Sequence, residues 1–405
     1  MEKLCDITDC SGCEACANAC SHDAITMTED AMGHLHPQFN ETKCIDCGLC
    51  TKVCPALAPV TQVSPLRAFA VASDDAEERR TSSSGGAASV AARHILKHGG
   101  VVYGCAQADY CHIGHVRIDS VEELGRLKGS KYVQSRMGHV YRQVRADLLA
   151  DRPVLFTGTP CQVAGLRNFL RKDYDNLVTI DLICHGVPSQ QMLRRDVAAA
   201  MENRKDILVN FRWKCQYGIQ YGIQFGNPNG TDMHILRELR YPHDPYITAF
   251  MTGLSFRESC HRCPYAGQKR TGDLTIGDFW GLGAYAPTSF KIREGVSLVL
   301  VNTPAGERLW DKLDPMLSVE ERSLQEAIAG NANLRTTSPR PPRKDLFKHV
   351  YQTTGDLNKA VRAALPRSQR AKICLTESLK RNRLIIFTFK KVRLLIHQLR
   401  HHEQA

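Results

Sequence analysis

Apolar positions along this chain alternate between two periods from about residue 65 to residue 330. Pro153-Val154-Leu155-Phe156-Thr157 and Leu177-Val178-Thr179-Ile180-Asp181-Leu182-Ile183 are short apolar runs, and both are predicted as buried strands. Between them, Gln162 to Leu170 carries its apolar positions at helical spacing. A strand, a helix and a strand so spaced form a right-handed βαβ unit. Ser82-Ser83-Ser84-Gly85-Gly86-Ala87-Ala88 predicts the opening of another helix that continues to about Lys97. Together these signals predict an α/β body. Ahead of it, short stretches such as Ala24-Ile25-Thr26-Met27 are expected to make small hairpins. Behind it, Thr336-Thr337-Ser338-Pro339-Arg340-Pro341-Pro342 reads as a linker by composition. The expected fold class is α+β: a small N-terminal module, an α/β body with a mixed sheet, and a basic helical tail. The expected segments are 1–60, 61–150, 151–335 and 336–405.

A length of 405 residues suits two or three domains. No run of eighteen apolar residues occurs, so no spanning helix is expected. Met1-Glu2-Lys3-Leu4-Cys5 has no apolar signal region, which argues against export and for the reducing cytoplasm. The formal charge of +11 is concentrated at one end, since Pro366 to Ala405 holds ten Lys or Arg against two Glu. From Leu379 to Leu399 these cations alternate with Leu384-Ile385-Ile386-Phe387, Phe389, Val392 and Leu394-Leu395-Ile396. That pattern suits a helix on the inner, anionic face of a membrane, and equally one packed on the body or a partner subunit. No basic patch interleaved with aromatics reads as a nucleic-acid surface.

Cysteine changes the picture most. Of 17 cysteines, nine stand in the first 54 residues, and eight of those form two runs of C-x2-C-x2-C-x3-C. The runs are Cys10, Cys13, Cys16, Cys20 and Cys44, Cys47, Cys50, Cys54, the second followed by Pro55 and the first by Ser21. This spacing holds paired cubane [4Fe-4S] clusters in bacterial ferredoxins, where the fourth thiolate of each run ligates the other cube. Cys10, Cys13, Cys16 and Cys54 are thus expected around one cluster, and Cys44, Cys47, Cys50 and Cys20 around the second. Zinc would want paired C-x2-C motifs rather than triplets with a trailing fourth cysteine. The module is expected to carry electrons.

Four more thiols lie in the body. Cys161 follows the strand through Thr157, and Cys184 follows the strand through Ile183. If those strands are neighbours, about 4.8 Å apart, the two thiols leave the sheet side by side. Cys260-His261-Arg262-Cys263-Pro264 adds a C-x2-C. The four would suffice for a third cube. The C-x2-C could also be half a zinc site, Cys161 at a helix start a reactive thiol, and buried cysteine plain apolar filler. Cys5, Cys105, Cys111, Cys215 and Cys374 fit no ligand pattern and are expected to be structural. The hydroxyls and glycines of Ser83-Ser84-Gly85-Gly86 offer free N–H groups to a phosphate, or serve as an ordinary helix cap. Gly129-Ser130-Lys131-Tyr132-Val133-Gln134 adds a cation and hydroxyls in a short turn.

Taken together, Ser83-Ser84-Gly85-Gly86, Gly129-Ser130-Lys131-Tyr132-Val133-Gln134, Gly158-Thr159-Pro160-Cys161-Gln162, Ile183-Cys184-His185-Gly186-Val187-Pro188, Cys260-His261-Arg262-Cys263-Pro264 and Gly277-Asp278-Phe279-Trp280-Gly281 resemble one family. It is the coenzyme F420 hydrogenase/dehydrogenase beta-subunit family of iron–sulfur flavoproteins, many of which carry a fused ferredoxin. The resemblance implies FAD, a further cubane near it held by Cys161, Cys184, Cys260 and Cys263, and an oxidoreductase acting on an unidentified substrate. It also implies flavin contacts from Ser83, Ser84, Gly85, Gly86, Ser130, Lys131, Tyr132 and Gln134. Asp278 would bond the flavin or orient the C-x2-C loop, and His185 would be a proton donor or a structural histidine. The wording is similar to a bacterial branch whose relatives are encoded among polysaccharide-synthesis functions. An electron-transfer subunit serving a redox partner protein or small-molecule donor, or an accessory redox protein of polysaccharide biosynthesis, is the alternative, because a fold does not fix a substrate.

Overall fold

The first run of cysteines is followed by strands β1 (Ile25–Glu29) and β2 (Leu35–Phe39), an antiparallel hairpin that pairs Ile25 with Phe39. Its turn is closed by Asp30, whose Oδ1 accepts the N–H groups of Met32 and His34 at 2.8 and 2.9 Å. This is the small hairpin expected near Ala24. The computed structural model describes residues 4–108, 112–201, 208–215, 218–229 and 232–371.

The body is built on β3 (Arg67–Ser73), β4 (Val101–Gln107), β5 (Ile113–Ile118), β6 (Val154–Gly158) and β7 (Leu177–Leu182). Next come β8 (Leu208–Cys215), β9 (Gly218–Asn229) and β10 (Asp232–Arg240), an antiparallel three-stranded sheet of their own. Then β11 (Leu274–Asp278), β12 (Ser297–Val301) and β13 (Leu317–Arg322) complete an eight-stranded sheet in the order β13-β3-β12-β11-β7-β6-β4-β5. Pairs β4/β6, β6/β7 and β7/β11 are parallel and the rest antiparallel, so the sheet is mixed. The expected βαβ unit is present, with Pro160–Leu170 as its helix and β6 beside β7. Thr159 and Gln162 start that helix as a reciprocal capping box.

Alternating side chains divide between two apolar layers, as a strand's period of two demands. Val102, Leu155 and Ile180 face one layer with the helices Ala87–Lys97 and Pro304–Leu313. Val101, Tyr103, Val154 and Phe156 face the other, with Val140–Leu149 and Pro160–Leu170. Cys13, Ala15 and Val53 are buried in that second layer, so the ferredoxin loops complete the body's core. Polar bonds fix the seam. Glu14 accepts the N–H groups of Met137 and Gly138 at 2.8 and 3.1 Å, and Arg142 donates to the carbonyls of Asn18 and Cys20 at 2.8 and 2.6 Å.

The chain comprises two units, Met1–Pro341 and Pro342–Ala405, and residues 1–60, 61–150 and 151–335 all contribute to the first. In the second, Lys344–Thr354 ends at Gly355 with φ 66°, and Asp356 caps Leu357–Ala364 by accepting the N–H of Lys359 at 3.0 Å. No helix among the described residues is long and apolar enough to cross a membrane. The tail segment Leu379–Leu399 lies outside the described residues, as do Cys111 and Cys374.

Candidate metal centre

Cys10, Cys13 and Cys16 lie on the loop that opens the short helix Ala15–Ala19, and Gly12 and Glu14 turn it with φ of 62° and 63°. The trailing cysteine of the second run comes to them. Cys16 is pushed well up by burial and by the thiols of Cys13, Cys10 and Cys54, which places these four together. Cys50 is raised by burial, with Cys47 beside it, and Cys47 is exposed. Cys20 Sγ accepts the N–H of Ala24 at 3.3 Å. A ninth thiol joins the first set: Cys5 lies 3.8 Å from Cys54 and also bonds Cys10. These two bonds to Cys5 are the main reason Cys10 is held down to about 4 and Cys54 to about 6.

The body gathers its own four thiols. Cys184 is pushed well up by burial and by Cys260, Cys161 and Cys263, and Cys263 rises to about 12 through burial, Cys161 and Cys260. Topology does this. Register places Gly158 of β6 opposite Asp181 of β7, so the loops beyond them emerge together. Cys260 sits on the short helix Glu258–Arg262 and Cys263 ends it, the helix being tied back by the bond from Arg257 N to Val187 O at 3.1 Å. The return to β11 is pinned by Asp181, which accepts Arg270 Nη2 at 2.9 Å, Thr271 N at 3.0 Å and Gly272 N at 2.9 Å. Four thiols with no harder donor among them suit iron–sulfur or zinc chemistry. Among the described residues, no three His, Cys, Asp or Glu side chains converge as ligands of a single ion.

The two regions touch. Cys13, raised chiefly by burial, also feels Cys161. Tyr265 is raised by burial and then by Cys161, Cys13 and Cys263, and its hydroxyl donates to Pro55 O at 2.8 Å. Gly165, one helical turn past Cys161, would carry a Cβ only 3.1 Å from Cys13 Sγ and 3.2 Å from Tyr141 Oη. Glycine there lets the ferredoxin loop close on the helix that begins beside Cys161.

The remaining predicted residues separate into two groups. Ser84 Oγ donates to Val296 O at 3.0 Å, while Ser83 Oγ is buried and has no hydrogen-bond partner. Gly86 is the left-handed N-cap of the helix Ala87–Lys97. A Cβ on Gly85 would lie 2.2 Å from Val71 O, so this glycine serves contact with the sheet. Lys214 bridges from β8 to the same loop, donating to Ser84 O at 2.7 Å. Across from it, Arg212 holds Asp278 through two bonds of 2.6 and 2.7 Å. Tyr221 lies 5.2 Å over the Arg212 guanidinium and 6.3 Å from Trp280. Tyr132, bonded by Ser130, stacks on Phe250 at 4.6 Å. Burial lowers His185 while Asp278 opposes it, so the two are neighbours.

Two residues lie elsewhere. Lys131 Nζ donates to the carbonyls of Leu127 and Lys128 at 3.0 and 2.7 Å, closing the short helix Glu122–Leu127. Gln134 Nε2 donates to Ser11 O and Gly12 O at 2.9 and 3.0 Å, clamping the first ferredoxin loop. Arg212, Lys214, Glu14 and Arg257 went unnoticed in the sequence because each is an isolated residue in no motif; only the fold brings them to the site.

Comparison with known proteins agrees with this division. Residues 9–58 match the model of the 4Fe-4S dicluster domain, and residues 151–327 match the model of the C terminus of the coenzyme F420 hydrogenase/dehydrogenase beta subunit. An uncharacterized polyferredoxin-like protein of Methanocaldococcus jannaschii is 34% identical over 65 residues, 14% of this chain and 39% of that protein. A chain from the xenon-derivatised F420-reducing [NiFe] hydrogenase complex of Methanosarcina barkeri aligns over 74% of this chain and 92% of its own, at 17% identity and a TM-score of 0.45. The chain thus joins an iron–sulfur segment that matches the 4Fe-4S dicluster domain, residues 9–58, to a segment that matches the C-terminal part of coenzyme F420 hydrogenase/dehydrogenase beta subunits, residues 151–327.

Proposed function

We propose that the chain is an iron–sulfur flavoprotein oxidoreductase with three thiol sets in series. Cys44, Cys47, Cys50 and Cys20 form the outer set, and exposed Cys47 marks it as the side a redox partner approaches. Cys10, Cys13, Cys16 and Cys54 form the middle set. Cys161, Cys184, Cys260 and Cys263 form the inner one. The observation that carries this order is the meeting of Cys13 with Cys161, across Gly165. When bound, cubanes supply one-electron transfer and a flavin supplies the pairing of two electrons.

FAD would lie between the Ser83–Gly86 loop and the Arg212–Asp278 pair. Ser83 Oγ is a buried donor in want of an acceptor, and Lys214 adds a cation beside Ser84. Tyr132, Tyr221 and Trp280 offer aromatic faces, and His185 beside Asp278 can hold or release a proton. Anaerobically purified protein should release FAD on denaturation, and Ser83→Val should lower flavin content while leaving iron unchanged. Full iron without flavin would favour the alternative, an electron-transfer subunit or an accessory redox protein of polysaccharide biosynthesis. The basic tail is proposed as a contact with anionic membrane: deleting residues 366–405 should abolish liposome co-sedimentation at low salt, where attraction is least screened.

A further inference from the structure

Among the described residues three arginines are buried: Arg212, Arg257 and Arg270, at 7, 2 and 1% exposure. Two have a carboxylate. Arg212 is paired with Asp278 at 2.6 Å and Arg270 with Asp181 at 2.9 Å. Arg257 has none among the described residues. Its Nε donates to Gln134 Oε1 at 3.3 Å, Nη1 stands 3.4 Å from His36 Nε2, and Nη2 donates to the carbonyl of Leu35. A buried guanidinium without an anion is costly, so its counter-charge is to be sought among the groups it faces.

Its direct partners are neutral or shared, and they lead to the thiol loops. Gln134, which it holds, donates in turn to Ser11 O and Gly12 O between Cys10 and Cys13, and Ser259, two residues on, donates to Cys10 O at 3.0 Å. The guanidinium also packs flush on the first ferredoxin loop, since a Cβ on Gly12 would lie 2.6 Å from Nη2. Its backbone ties both sides together: Arg257 N donates to Val187 O, and Cys260 N donates to Arg257 O, each at 3.1 Å. One fixed cation therefore stands between the middle and inner thiol sets.

We infer that Arg257 is the shared counter-charge of these two sets, a positioning residue that raises the reduction potentials of the clusters they hold. The inference rests on the proposed reading that both sets hold clusters. A cluster with four thiolates is net negative and becomes more so on reduction, and a nearby cation in low dielectric favours that more negative state. The hydrogen bonds of the Arg257 guanidinium reach Gln134, His36 and Leu35 rather than the second cysteine run, so the outer set serves as an internal reference.

The test is anaerobic EPR redox titration of the full chain carrying Arg257→Gln or Arg257→Lys. Arg257→Gln should lower two of three midpoint potentials by at least about 59 mV, a tenfold fall in the one-electron reduction constant, and leave one unmoved. Arg257→Lys should restore both. Unmoved potentials in Arg257→Gln, equal shifts in all three clusters, or equal shifts in the Lys variant would overturn the inference. Iron loss in Arg257→Gln alone, with Arg257→Lys fully loaded and unshifted, supports the charge. Loss in both overturns it, because lysine keeps the charge and lacks only the fork. Failure of the underlying reading looks different: the unaltered chain would hold about eight irons rather than twelve.

Discussion

Residues 9–58 and the sheet body each assemble thiols, but by opposite means. In the ferredoxin loops a thiol is placed by its neighbours in sequence, three to a loop, with the fourth of each run assigned to the other run's set. In the body the four thiols come from three segments up to 102 positions apart, Cys161 to Cys263. They meet because β6 and β7 are parallel neighbours and because Asp181 anchors the return from the C-x2-C to β11. The difference teaches that the first site should survive damage to the sheet better than the second.

The largest test of that contrast is Asp181→Asn. It leaves Arg270 buried without its anion, which costs about 3–5 kcal/mol. Chemical denaturation should show the loss, and iron should leave the Cys161 set before the ferredoxin sets. Equal loss from both would break the comparison.

Acid offers a second lever on the body. His115 is buried between Thr157 O at 2.8 Å and Ser135 Oγ at 2.9 Å, and burial lowers it from 6.5 to about 4. The unfolded chain binds this proton below pH 6.5 and the folded chain only near pH 4. Stability is therefore full above pH 6.5 and falls as pH drops through that window, by at most about 3 kcal/mol. His115→Asn should flatten this part of the pH–stability curve; an unchanged slope would assign it to other groups.

A smaller effect probes the seam. Glu14→Gln removes a charged acceptor from Met137 N and Gly138 N, which should cost about 1–2 kcal/mol. Hydrogen exchange should quicken at Met137 and Gly138 while the sheet stays protected. Exchange that quickens throughout β6 and β7 instead would mean the two regions do not separate energetically.

The sequence made the ferredoxin ligands legible because their geometry is local, and it made the β6–helix–β7 unit legible because periodicity is local too. It even put Cys161 and Cys184 beyond the carboxyl ends of two neighbouring strands, through the rule that such strands lie parallel. It did not show that Gln134 clamps the Ser11–Gly12 backbone, since that partner lies 123 and 122 positions away. Nor did it show that Lys131 turns back onto Leu127 and Lys128, since a lysine's local sequence does not say whether it bends onto the preceding turn or reaches outward. Thr336–Pro342 read as a linker from its Pro and Ser content, yet Ser338 Oγ donates to His185 O at 2.5 Å and Arg340 Nε to Glu258 at 3.0 Å. Composition reports what a segment can do alone and is silent on what holds it.

The central claim is that the sheet body holds a cluster of its own beside the ferredoxin pair. Iron and sulfide analysis of the anaerobic chain, with and without Cys260→Ala and Cys263→Ala, tests it most directly. The account expects about twelve irons falling to about eight, with both ferredoxin EPR signals retained. About eight irons before and after the substitutions would contradict it.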